Sequence, residues 1–165
     1  MRHALAGLAL LVSVSAQAKT YVIPHVLEKS GTTTNTAFTF DTTLYITYTA
    51  GLISTIPAGP GATVDLYLFD SYGYPMRNAG AVVCNPCSFT LNPAQQTPAK
   101  LSVRFEDLIL ARGAFDTTVK TGFGLVVVNG DSDSVNLSGF IVNSHTSAFD
   151  LVTTPLDIQG VAAAP

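Results

Sequence analysis

Val64-Asp65-Leu66-Tyr67-Leu68-Phe69 puts Val64, Leu66 and Leu68 at alternate positions, with Asp65 and Tyr67 between them. Successive side chains on a strand point to opposite faces, so this spacing describes a ribbon with one buried side and one wet side. The same period of two spreads outward along the chain. Thr36-Ala37-Phe38-Thr39-Phe40 and Leu44-Tyr45-Ile46-Thr47-Tyr48-Thr49 lie before it, and Leu101-Ser102-Val103-Arg104-Phe105 and Val135-Asn136-Leu137-Ser138-Gly139-Phe140-Ile141-Val142 lie after it. Phe123 to Val128 is nearly continuous apolar, the pattern of a central strand covered on both sides.

Turn residues separate these runs. Pro57 to Gly61, Ser71-Tyr72-Gly73-Tyr74-Pro75, Asn92-Pro93, Thr97-Pro98 and Asn129-Gly130-Asp131 supply them, and Asn and Gly tolerate the positive φ that tight turns need. No amphipathic stretch reaches three helical turns; Glu106 to Ala111 alone reads as a helical turn. Short alternating runs with regular punctuation predict an all-β, antiparallel β-sandwich of about eight or nine strands. Immunoglobulin-like and jelly-roll topologies both fit that count.

The first eighteen residues have a different texture. Arg2 and His3 precede an apolar run from Ala4 to Val14, and Ala16-Gln17-Ala18 gives the small-x-small pattern of a cleavage site. The run falls short of the ~20 residues that span a bilayer. Residues 1–18 are therefore expected to be a signal peptide, and 19–165 a single β-sandwich domain, secreted or periplasmic. The tail Gln159 to Pro165 carries no apolar stretch that would serve as a membrane anchor.

Charge narrows the function classes. The chain has eight Lys plus Arg and eleven Asp plus Glu, so losing Arg2 with the leader leaves seven against eleven, a net −4. A nucleic-acid binder would show a basic stripe, and an anionic lipid surface would want the same. Neither partner is expected.

Each candidate for chemistry is thin. Cys84-Asn85-Pro86-Cys87 holds both cysteines, and no helix follows to lower a thiol pKa, so a structural disulfide between Cys84 and Cys87 is expected rather than a redox or zinc site. Ser144, His145 and Asp150 have triad identities, but one short segment rarely brings such groups together and no G-x-S-x-G turn is present. The second mature histidine, His25, has no metal-ligand spacing with it. Glu28 and Glu106 are the only glutamates, and Glu106 and Asp107 are neighbours, which gives no facing pair for glycoside hydrolysis. No catalytic residue is assigned. Asp131, Asp133 and Asn136 are the metal candidates, with calcium the cation that such acidic loops hold, although the set lacks an EF-hand's glycine and distal Glu. Phe40-Asp41-Thr42-Thr43 echoes as Phe115-Asp116-Thr117-Thr118, with a looser copy at Ala148-Phe149-Asp150. The echo reads as Asp capping a turn or bulge at a strand entry, with an ancient duplication or two equivalent ligand edges as the alternative.

Tyr72 and Tyr74, with Tyr67 nearby, flank Asp70-Ser71 on a turn. Exposed tyrosines bring contact area at low entropy cost and stack on sugars or anchor proteins. Asp70, Tyr72 and Tyr74 are thus the ligand-binding candidates, although the chain has no Trp, which sugar-binding faces often use. The reading that follows is an exported, non-enzymatic binding or structural module, of the adhesion, matrix or accessory kind, with a protein or glycan partner. A carbohydrate-binding module built on the Tyr72–Tyr74 turn and a small secreted hydrolase are the alternatives.

Overall fold

The computed structural model describes residues 18–33, 36–52, 59–92, 99–113, 120–145 and 151–161. The leader, apart from Ala18, lies outside them, as do Asp150 and the later copies of the Phe-Asp echo. The alternating runs fold as expected into two antiparallel sheets packed against each other. Sheet A has the order β11-β1-β8-β3-β6, from Gln159–Val161, Lys19–Thr33, Lys120–Gly130, Ala62–Asp70 and Cys87–Leu91. Sheet B runs β10-β9-β2, from Leu151–Pro155, Val135–His145 and Thr36–Tyr48. The far side of β2 is shared by the second half of β1 and by β7 (Lys100–Arg104). A two-residue ribbon, β4 (Arg77–Asn78) with β5 (Ala81–Val82), and a short helix, α1 (Phe105–Leu110), complete the described elements. The helix occupies the one stretch read as helical.

Strand β1 belongs to both sheets. Lys19 to Glu28 pair with β8, whereas Lys29 to Thr33 pair with β2. The register shifts between Ile23 and Val26, at Pro24-His25. Proline lacks the N–H that a ladder needs, so the interruption falls where the sequence permits it. A second crossing follows β8. Asn129-Gly130-Asp131 looks like a hairpin turn, but β8 lies in sheet A and β9 in sheet B. Gly130 does take positive φ (83°), and a 3-10 turn at Ser132–Ser134 then carries the chain between layers.

The inward residues alternate as the pattern demands. Val64, Leu66 and Leu68 of β3 and Val126 and Val128 of β8 meet Leu44, Ile46 and Tyr48 of β2, all at 0% exposure. Each fully buried aliphatic of this set contributes roughly 1.5–3 kcal/mol. Phe105 and Ile109 of α1 join the same core. Strand β8 is covered unequally: Gly124, Val126 and Val128 are buried, whereas Phe123, Leu125 and Val127 on its other side are half-buried.

Asp41 caps no turn. It lies inside β2, where the neighbouring strand changes from β1 at Phe40 to β7 at Thr43, and it is 6% exposed. Its Oδ2 accepts from Arg104 Nε at 2.8 Å, and Arg104 reaches Glu106 with a second nitrogen. That pair ties the end of β7 and the start of α1 to the gap in β2's ladder.

Cys84 and Cys87 form the expected disulfide, closing a ring across the cis Asn85-Pro86 bond. The ring holds the Cys84 carbonyl where it accepts from Leu68 N–H (3.1 Å), extending the edge of β3 past its last β6 partner. A ring this short removes about 2 kcal/mol of chain entropy from the unfolded state. The double variant C84A/C87A is expected to lose about that much in urea unfolding, and wild type in reductant should match it. Equal midpoints for oxidised wild type and the variant would contradict this.

Candidate functional site

Asp70 is the last residue of β3, and from it the chain turns back on itself. Its Oδ1 accepts from the N–H groups of both Tyr72 (2.9 Å) and Tyr74 (3.0 Å). Its own N–H donates to the Tyr74 carbonyl (2.8 Å), and Gly73 N–H donates to the Asp70 carbonyl (3.0 Å). Aspartate is suited to such a turn because its short carboxylate reaches amides two and four residues on. Gly73 takes φ +84° with open space around it. The return limb bridges Phe69 through Pro75, and Met76 N–H donates to the Leu68 carbonyl (2.9 Å). Met76 is 3% exposed and anchors that limb in the core.

The result is a fixed turn that displays its aromatic rings. Tyr72 is 87% exposed and Tyr74 69%, the two most exposed large hydrophobic side chains among the described residues. They border an open cleft of about 550 Å³ that Ser71, Arg77, Lys120 and Thr121 also line. Ser71 Oγ lies 3.0 Å from Thr121 Oγ1, which ties the turn to β8. Arg77 Nη1 donates to the Gly80 carbonyl (2.7 Å), so the guanidinium is held at the rim by its own ribbon. Behind it, the buried Asn78 donates to the carbonyls of Ile109 (3.2 Å) and Gly113 (3.0 Å), locking the ribbon to α1. The cleft thus offers two phenol rings for stacking, two cations, and a pair of hydroxyls.

No family model, curated protein or solved structure matches the chain. The functional reading therefore rests on the residues themselves.

The cleft brings together Asp70, Tyr72 and Tyr74 as proposed from sequence, but gives Asp70 a particular job: its carboxylate orients the tyrosines. Tyr67 stands apart, half-buried in β3 and level with Leu125 on the outer face of sheet A. Arg77, Lys120 and Thr121 went unnoticed in the sequence because they arrive from two other elements. The residues lining the cleft include one carboxylate, no histidine and no cysteine. Glycoside hydrolysis needs two facing carboxyls, and this lining holds one.

The other candidates lie away from this lining. Asp131 Oδ2 accepts from Tyr48 Oη (2.8 Å), whereas Asp133 pairs with Lys19. The hydrogen bond to Asp133 raises the Lys19 ammonium above its ordinary value. Asn136 is exposed on β9 opposite Thr47. Among the described residues, no three His, Cys, Asp or Glu side chains form a group that could hold a metal ion. Ser144 and His145 close β9, Asp150 lies outside the described residues, and His25 is exposed at the β1 bulge.

Proposed function

We propose that this chain is an exported, non-enzymatic binding module that holds its ligand at the Tyr72–Tyr74 cleft. The observation that carries the reading is the pair of rings held in solvent by the Asp70 carboxylate. Exposing two tyrosines forfeits apolar burial, and bonding both of their amides to one side chain removes the turn's freedom before any ligand arrives. Preorganised aromatic display is how binding loops gain affinity at low entropic cost. Export is supported by the leader pattern and by the disulfide, which persists in oxidising compartments. A glycan is the ligand class that hydroxyl and cationic donors beside exposed rings favour, since sugars pair stacking with hydrogen bonding.

A glycan array and a pull-down from culture supernatant test the reading. Tyr72→Ala is expected to weaken whatever is captured by roughly tenfold or more, as for an interface anchor. Its melting temperature should stay at the wild-type value, because the ring is 87% exposed. Asp70→Ala should weaken capture as well, with a modest loss of stability, through release of the two amides. Undiminished capture by a Tyr72→Ala/Tyr74→Ala protein would remove the cleft from the function.

A further inference from the structure

The two sheets have unlike outer faces. On sheet B, registered rows read Lys100-Thr47-Asn136, Ser102-Tyr45-Ser138 and Arg104-Thr43-Phe140, and the Lys100 ammonium sits 5.1 Å from the Tyr45 ring centre. Polar residues outnumber apolar ones in these rows, with Tyr45 and Phe140 the one aromatic pair, 5.6 Å apart. The rows of sheet A read Val161-Thr20-Val127-Asp65, then Gln159-Val22-Leu125-Tyr67, then Phe123-Phe69, and the last two rings stack at 5.1 Å. The residues flanking this apolar centre are polar, among them Thr63, Asn129 and Ser88. An apolar centre with a polar rim is the composition of an interaction surface. Among the described elements α1 packs on β2 and β7, in the other sheet.

We infer that the outer face of sheet A seats a second copy of this chain, face to face about a two-fold axis. Three observations select that occupant. Phe123 to Val128 carries the nearly continuous apolar signature of a strand buried on both sides, yet among the described residues Phe123, Leu125 and Val127 stay half-buried while Gly124, Val126 and Val128 are buried. A second sheet stacked at ~10 Å completes the burial that this sequence specifies. Charge is the second. A mature chain of net −4 repels its copies wherever carboxylates face each other, but this surface carries Asp65 alone in its rows. Ser88 Oγ (2.6 Å) and Asn129 Nδ2 (3.1 Å) each donate to one of the Asp65 oxygens. Area is the third. Five strands ~4.8 Å apart and nine β8 residues rising ~3.3 Å each give a footprint of roughly 20 by 27 Å. Two such faces bury at most about 1,100 Å² together, which reaches the ~1,000 Å² lower bound for a specific interface. A dimer formed this way carries two tyrosine clefts, because Phe69 leads directly into Asp70.

Sedimentation equilibrium of the exported protein tests this across roughly micromolar to several hundred micromolar concentration, a span that brackets interfaces of this size. The expected result is twice the chain mass. Thr20→Glu places like charges on the face, between Val161 and Val127, and should raise the dimer dissociation constant at least tenfold. Val161→Glu does the same at a residue 50% exposed on the terminal strand, where the fold is not at stake. Ser138→Glu, on sheet B, should dimerise as wild type does. A wild type that stays monomeric throughout overturns the inference, as does one that gains mass only when another protein is added. Folded Thr20→Glu and Val161→Glu proteins that dimerise normally overturn it too.

Discussion

Replacing Gly122 with alanine is expected to cost about 3 kcal/mol or more and to disorganise the cleft. Gly122 pairs with Asp70 across the β3–β8 ladder. A Cβ there would lie 1.8 Å from the Phe69 carbonyl oxygen, 2.8 Å from its carbon and 2.9 Å from Asp70 Cα. Every one of those atoms is backbone, so no rotamer change relieves the contact. The strands must separate, and the residue displaced is the one whose carboxylate orients Tyr72 and Tyr74. Gly124, two positions along the same strand, supplies the control. Its Cβ would meet only Ile23 and Leu68 side-chain carbons at 3.5–3.6 Å, which is ordinary contact. Gly124→Ala should therefore unfold in urea near the wild-type midpoint, and Gly122→Ala far below it. Unfolding free energies for the two variants within about 1 kcal/mol of each other would show that the close approach is unimportant.

The contrast between those glycines shows what a sequence read alone can and cannot carry. Alternation around Val64, Leu66 and Leu68 dictates strands, because burial follows the pleat whichever partner lies alongside. It does not say which sheet a strand joins. Gly130 announces a turn through its φ of 83°, but the same turn serves a hairpin or a crossing between layers, and here it crosses. Pro24 likewise marks an interruption in β1 without revealing that the strand changes sheets beyond it. The disulfide was legible because both cysteines lie three residues apart and the ring closes locally. Half of the cleft was legible for the same reason: Asp70, Tyr72 and Tyr74 share one turn. Arg77 and Lys120 were not, since only the β3–β8 pairing and the return limb after Pro75 bring them to that turn. The apolar outer face was visible as the run Phe123 to Val128, and was read as burial within one chain because a sequence does not distinguish its own second layer from a neighbour's.

Tyr48→Phe is expected to cost roughly 3 kcal/mol at neutral pH, since it takes the partner from two polar groups around a buried phenol. Tyr48 ends β2 in sheet B and is 0% exposed. Its hydroxyl donates to Asp131 Oδ2 (2.8 Å) beyond β8 and accepts from Gly61 N–H (3.1 Å) ahead of β3, both flanking strands of sheet A. One oxygen thereby fastens the two layers at that end of the sandwich. Gly59 closes over it so tightly that a Cβ would fall 2.2 Å from the phenol oxygen and 2.3 Å from Asp131 Oδ2. Phenylalanine keeps the ring and its packing but leaves the Gly61 amide and the carboxylate oxygen without this partner. The variant also carries a pH signature. Burial first, and then the hydrogen bond to Asp131, raise the phenol above its ordinary 10.0. The folded chain therefore holds this proton more tightly than the unfolded chain does. The stability it confers is complete below pH 10 and is lost as pH rises through the raised value. Phenylalanine has no proton to lose, while every other titrating group is common to both proteins. The gap in unfolding free energy between wild type and Tyr48→Phe should accordingly be widest at neutral pH and narrow above pH 10, and a gap that held constant or widened there would mean the hydroxyl is not the fastening.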